Sequence, residues 1–166
     1  MNHFELGMNK LLVSQLAALY FCENQLIGAL QRMADAAQNP QLKKAFTEHR
    51  LQTEGHVRRL EAAFSELKET PKAFPCRALD GLLDDSKWMM QRLKGDPALD
   101  MALIAAAQKV EMFEVASYRS AVRLANQLGN ARVAELCQVT LDEELAADDK
   151  LSAIAVLGQR EQVPVV

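Results

Sequence analysis

Glycine and proline are scarce in this chain, 7 and 5 of 166 residues, and aromatic side chains make up only 5%. So few backbone breakers, with so little of the aromatic stock that strands favour, exclude collagen-like repeats, β-sandwiches and barrels. Disorder is excluded as well, because 49% of the residues are hydrophobic and only a poorly hydrophobic chain stays unfolded. An excess of one charge is missing too: 19 Lys and Arg against 22 Asp and Glu give a net charge of -3. Neither a nucleic acid nor an anionic membrane is therefore expected as a partner. Three cysteines, Cys22, Cys76 and Cys137, are too few and too scattered for a disulfide framework, and their odd number fits a reducing cytosol. The most apolar run, Leu11 to Cys22, has 12 uncharged residues, too short to span a bilayer. It carries Ser14 and Gln15, leads into Glu23 and lacks a small-residue cleavage site, so it does not read as a signal peptide. The expectation is one cytoplasmic, all-α domain over residues 1–166.

What is present is helical periodicity between a few punctuation marks. Asn39-Pro40 offers an N-cap followed by proline at the first helical position, and Asp96-Pro97 repeats the device. Gly129-Asn130 reads as a helix stop and a new N-cap, Pro71 and Pro75 forbid helix over 69–76, and Gly158 and Pro164 close the last segment. Leu12, Leu16, Leu19, Leu26, Leu30 and Met33 form one apolar stripe; Leu42, Phe46, Val57, Leu60 and Phe64 form a second. Ile104, Ala107, Val115, Ala121 and Ala125 form a third, and Val133, Cys137, Leu141, Leu151 and Ile154 a fourth, with a shorter amphipathic stretch over 79–93. The pattern predicts hairpin 1 over about 8–69, a crossover with its own short fifth helix over about 70–96, hairpin 2 over about 97–157 and a tail over 158–166. Two antiparallel hairpins joined by one long crossover have the connectivity of a ferritin-like four-helix bundle.

Each stripe is interrupted near its middle by polar groups. They are Glu23 on the first, His49, Gln52, Thr53 and His56 on the second, Glu111 and Glu114 on the third, and Glu144 and Asp148 on the fourth. Antiparallel helices reflect positions across the turn that joins them. With the first turn near 38–39, the level of Glu23 recurs near about 54, which Gln52 and His56 straddle. With the second turn near 129–130, the level of Glu111 and Glu114 recurs near about 146–147, which Glu144 and Asp148 straddle. Each hairpin thus predicts its own polar layer. His49 falls roughly 7 Å from that level and reads as a flanking group, while Glu54 and Glu143 point away from the stripes toward solvent. Tyr118 reads as a core ring with its hydroxyl satisfied, Cys22 as packing, Arg59 as a solvated charge, and the methionines as packing rather than haem ligands.

Inward carboxylates are too costly as bare charge; either protons stay on or cations neutralise them. Carboxylates with an imidazole from four helices suit two divalent iron or manganese ions with open positions. Structural zinc prefers thiolates, which this layer lacks.

The same residues carry a resemblance. The stretches L-Y-F-C-E-N-Q-L at 19–26, E-H-R-L-Q-T-E-G-H-V-R-R-L-E at 48–61, C-R-A-L-D-G-L at 76–82, A-L-I-A-A-A-Q-K-V-E-M-F-E-V-A-S-Y at 102–118 and T-L-D-E-E-L-A-A-D-D-K-L at 140–151 resemble the YciE/YciF-type ferritin-like bacterial stress proteins. More distantly they resemble rubrerythrin-like di-iron proteins. The resemblance implies a homodimer with a di-metal centre; if that centre is catalytic, the expected chemistry is redox at open metal positions, turning over peroxide or dioxygen. Glu23 and Glu144 would be terminal ligands, Glu111 and Glu114 bridging or terminal, Asp148 and His56 would complete the shell, and Gln52 would lie at its edge. There are two departures: Met112-Phe113 replaces the polar pair of the family's usual E-H-Y-E, and Gln52 stands where a related di-iron bundle would want a carboxylate. The competing expectation is a metal-free dimeric helical scaffold whose surface binds a partner.

Overall fold

The computed structural model describes residues 3–161, with side chains described through Val156. Five helices follow in order: α1 His3–Ala36, α2 Pro40–Glu66, α3 Arg77–Arg92, α4 Leu99–Gln127 and α5 Ala131–Glu161. No strand occurs among the described residues. The last helix continues through Gly158 to Glu161; a lone glycine weakens a helix without ending it. Residues 162–166 of the expected tail, Pro164 included, lie outside the described residues.

Helix boundaries follow local chemistry. Asn39 caps α2, its Oδ1 accepting from the N–H groups of Gln41 and Leu42, with Pro40 at the first helical position. Gly129 ends α4 at φ 69°, while Gly129 N donates to Asn126 O and Asn130 N to Ala125 O. That is the paired hydrogen bonding of a left-handed C-terminal cap. Asn130 then caps α5 by accepting from Val133 N. One expected boundary moves. Asp96 accepts from Ala98 N, and its carbonyl from Leu99 N, so Asp96-Pro97 builds a tight turn and α4 begins only at Leu99. Residues 69–76 are non-helical, as the two prolines require.

The α1 and α2 helices pack along each other, as do α4 and α5; α2 also lies on α5 and α1 on α4, while α3 covers α4 and touches α1. Asp100 at the start of α4 accepts from Gln38 N and Asn39 N at 2.8 and 2.7 Å, tying the first turn to the second hairpin. Two apolar clusters fill opposite stretches of the helices, one around Leu16, Phe64, Ala121 and Cys137, the other around Leu30, Phe46, Leu103 and Leu151. A third, with Cys22, Leu26, Leu79 and Leu83, lies beneath α3. Every long helix carries at least one buried carboxylate or imidazole between the stretches it gives to the two main clusters.

Candidate metal centre

Four carboxylates are withdrawn from water: Glu23 and Glu144 at 0% exposure, Glu114 at 1% and Glu111 at 2%. Local periodicity puts them there, since each lies one helical turn from buried apolar neighbours on its own stripe. His49 and His56, two turns apart on α2, are buried among them, their rings 6.0 Å apart.

Glu144 sits at the centre of the arrangement. Its Oε1 lies 2.9 Å from His56 Nδ1, and its Oε2 lies 3.4 Å from His49 Nε2. Glu23 Oε2 reaches the same His56 Nδ1 at 3.2 Å, and Glu111 Oε2 the same His49 Nε2 at 3.4 Å. Two triads result, Glu23–His56–Glu144 and His49–Glu111–Glu144, and the ligand atoms within each fall within 4.8 Å of one another. Tyr118, fully buried, donates its hydroxyl to Glu23 Oε1 at 2.5 Å.

Burial is the first cause of the unusual protonation here. It raises the Glu23 carboxyl, which the His56 and Tyr118 contacts partly offset and the Glu144 charge reinforces. Glu144 is likewise raised, again by burial against the pull of His56. Glu114 is pushed well above the carboxylate range by burial and then by Glu23, Glu144 and Glu111. For the imidazoles burial works the other way, but the carboxylates outweigh it. Contact with Glu111 and Glu144 raises His49 to about 9, and contact with Glu144 and Glu23 raises His56 to about 10.

The hydrogen bonding inside the layer is incomplete. Among the described residues, Glu111 Oε2, Glu114 Oε1 and both oxygens of Glu144 have no hydrogen-bond donor, although an imidazole nitrogen lies 2.9 to 3.4 Å from the Glu144 oxygens and 3.4 Å from Glu111 Oε2. Moreover, two carboxylates converge on one His56 nitrogen, which carries one proton at most. A buried acceptor without a donor costs about 1–3 kcal/mol, and more when charged. Oxygen and imidazole donors converging in this way fit divalent first-row cations, and no thiolate is among them.

Several expectations need correction. His49 is a central member, because a side chain 7 Å along the helix reaches the second triad rather than missing the layer. Gln52 is exposed, with Thr53 taking the inward position, and its Oε1 lies 3.4 Å from His49 Nδ1 on the far side of that ring. Asp148 is half-buried at the α4–α5 edge, where Gln108 Nε2 donates to it at 3.0 Å. Glu143 does not simply face solvent; His56 Nε2 lies 2.8 Å from its Oε2, and Arg59, expected as a solvated charge, pairs with the same oxygen. Glu54 is half-exposed and pairs with Arg50. The seven-residue spacing of His49 and His56 was a readable sign that both share a face. Nothing in the sequence pairs Glu143 with Arg59.

The family model described as "Domain of unknown function (DUF892)" matches residues 7–163. Protein YciF of Escherichia coli (strain K12) is 39% identical over 142 residues, which cover 85% of this chain and 86% of its own length. The crystal structure of that E. coli stress protein superposes with a TM-score of 0.89 at 34% identity, covering 93% of this chain and 98% of that one. YcfI from Rhodopseudomonas palustris superposes with a TM-score of 0.85 at 32% identity, covering 87% and 92%.

Proposed function

The chain belongs to the DUF892 family, and from that premise we propose that it is a ferritin-like stress-response protein whose buried layer holds two divalent cations, iron or manganese. The packing of α1 on α2 and of α4 on α5, joined by the crossover that contains α3, is read as the ferritin-like four-helix arrangement. The observation that carries the cation reading is Glu144. One buried carboxylate turns an oxygen to each of two imidazole-containing triads, and neither oxygen has a hydrogen-bond donor.

Within this reading Glu23, Glu144 and His56 Nδ1 hold one cation, and Glu111, Glu144 and His49 Nε2 the other. Glu114, between them in charge terms, supplies the remaining buried oxygen without a donor. Gln52 and Asp148 lie outside both sets. Bound iron or manganese would supply Lewis-acid and one-electron chemistry toward peroxide or dioxygen. The protein residues do the rest. Tyr118 fixes the rotamer of Glu23, and each imidazole gives up its inward proton when it serves as a donor. The apolar clusters on either side keep bulk water out. A hollow of about 20 Å³ lined by His49, Gln52, Glu111 and Lys150 among others has room for one water-sized molecule. A homodimer is part of the same proposal.

The decisive measurement is the metal content of protein purified without chelator and reconstituted anaerobically with Fe(II) or Mn(II). The expected result is about two ions per chain, falling below about one in Glu144→Ala, because both triads lose their shared donor. A wild-type protein that stays empty sinks the reading and leaves a metal-free imidazolium–carboxylate core inside a helical scaffold.

A further inference from the structure

We infer that Glu143, at the edge of α5, is the positioning residue that sets which ring nitrogen of His56 faces the buried layer. The inference rests on the cation reading above and deepens it. An imidazole has two nitrogens, and a ring held only by packing can present either of them. His56, fully buried, turns Nδ1 to Glu23 and Glu144 and lies with Nε2 2.8 Å from Glu143 Oε2. A proton donated outward through Nε2 leaves the lone pair of Nδ1 directed inward, which is how an outer carboxylate orients a histidine ligand.

Glu143 is itself held in place. Arg59 Nη2 donates to the same carboxylate oxygen, and Arg59 Nε donates to the buried Thr140 Oγ1 at 2.9 Å. Two residues one turn apart on α2, His56 and Arg59, thus meet two residues one turn apart on α5, Thr140 and Glu143. The Glu143 side chain is 31% exposed, and that of Arg59 is 23% exposed. The guanidinium balances the carboxylate charge and occupies it from outside, so Glu143 stays an acceptor for the ring rather than a fifth acidic group in the layer.

The other imidazole gives the contrast. His49 turns Nε2 inward, and among the described residues its outward Nδ1 has only the exposed Gln52 amide oxygen, at 3.4 Å. The two histidines therefore present opposite nitrogens. One is held by a charged clasp, the other by a long contact with a neutral side chain. Removing Glu143 should matter more than removing Gln52.

The test compares wild type, Glu143→Ala, Glu143→Gln and Gln52→Ala, with far-UV circular dichroism to check that each is folded. Mn(II) affinity is read by titration, and the ring protons by ¹H–¹⁵N spectra of metal-free, ¹⁵N-histidine protein. Assignment is simple because the chain has three histidines. Glu143→Ala should bind Mn(II) about 10- to 100-fold more weakly. Glu143→Gln, whose amide oxygen still accepts from Nε2, should recover most of that loss, and Gln52→Ala should lose little. In metal-free protein a protected His56 Nε2–H resonance should be present in wild type and absent in Glu143→Ala. Equal Mn(II) affinity in wild type and Glu143→Ala overturns the inference. If wild type binds no Mn(II), the cation reading falls by itself and the ring resonance decides: its persistence in Glu143→Ala overturns the positioning role, and its loss upholds it.

Discussion

Tyr118 places a hydroxyl against Glu23 Oε1 at 2.5 Å where no water reaches either group. Tyr118→Phe keeps the ring and deletes the donor, stranding a buried carboxylate oxygen. The expected loss is about 1–3 kcal/mol, read from urea denaturation of the metal-free protein. The histidines make a prediction of their own. Their folded-state values, about 9 for His49 and about 10 for His56, lie above the ordinary 6.5. The stability they contribute is therefore complete below pH 6.5 and is lost as the pH rises through 9 to 10. Glu23, Glu114 and Glu144, also raised, act in the same direction. The thermal midpoint of metal-free protein should fall steadily across that window, and a flat profile would contradict the imidazolium–carboxylate pairing. At this scale the sequence disclosed residue types and faces. It did not disclose which atoms meet, because ring orientation and the Arg59–Glu143 pair depend on neighbours 84 to 87 positions apart.

Helix ends obeyed local rules where the residue had the right backbone freedom. Asn39 accepts two backbone N–H groups at the start of α2, so Asn39→Ala should cost about 1 kcal/mol in denaturant unfolding. The end of α2 is different. Lys68 adopts φ 56°, with Lys68 N donating to Ser65 O and Glu69 N to Phe64 O. That is the same cap that Gly129 makes for α4, but with a side chain in the left-handed region. Lys68→Gly should raise stability by up to about 1 kcal/mol, since the left-handed conformation costs a non-glycine residue about 1–2 kcal/mol. Pro71 and Pro75 place this end near residue 69, but no glycine marks the left-handed cap itself. The start of α4 escaped for a related reason: Asp96-Pro97 satisfies turn and helix rules alike, and the turn won.

For the whole molecule, the polar layer lies between two apolar clusters, so the fold bears a costly middle on well-packed flanks. Phe46→Ala, which hollows one flank beside His49, should destabilise by about 3–5 kcal/mol. If that flank supports the layer, it should also weaken Mn(II) binding. A cation that binds only the folded chain should raise stability, by about 2.7 kcal/mol at a hundredfold excess over its dissociation constant. Calorimetry with and without Mn(II) reads this directly, and Glu144→Ala should abolish the shift.

The sequence by itself determined that the chain is helical, where most helices begin and end, and that Glu23, His56, Glu111, Glu114 and Glu144 face inward at similar depth. Those properties follow from a period of 3.6 residues and from caps, all of which act within a turn or two. Tertiary structure alone decided that His49 joins the layer, that Gln52 and Asp148 stand outside it, and that Glu144 is shared between two triads. Packing α2 against α5, and α4 against α5, made those choices. Depth along a helix says how high a side chain sits, but only the neighbouring helix decides which of its atoms has a partner.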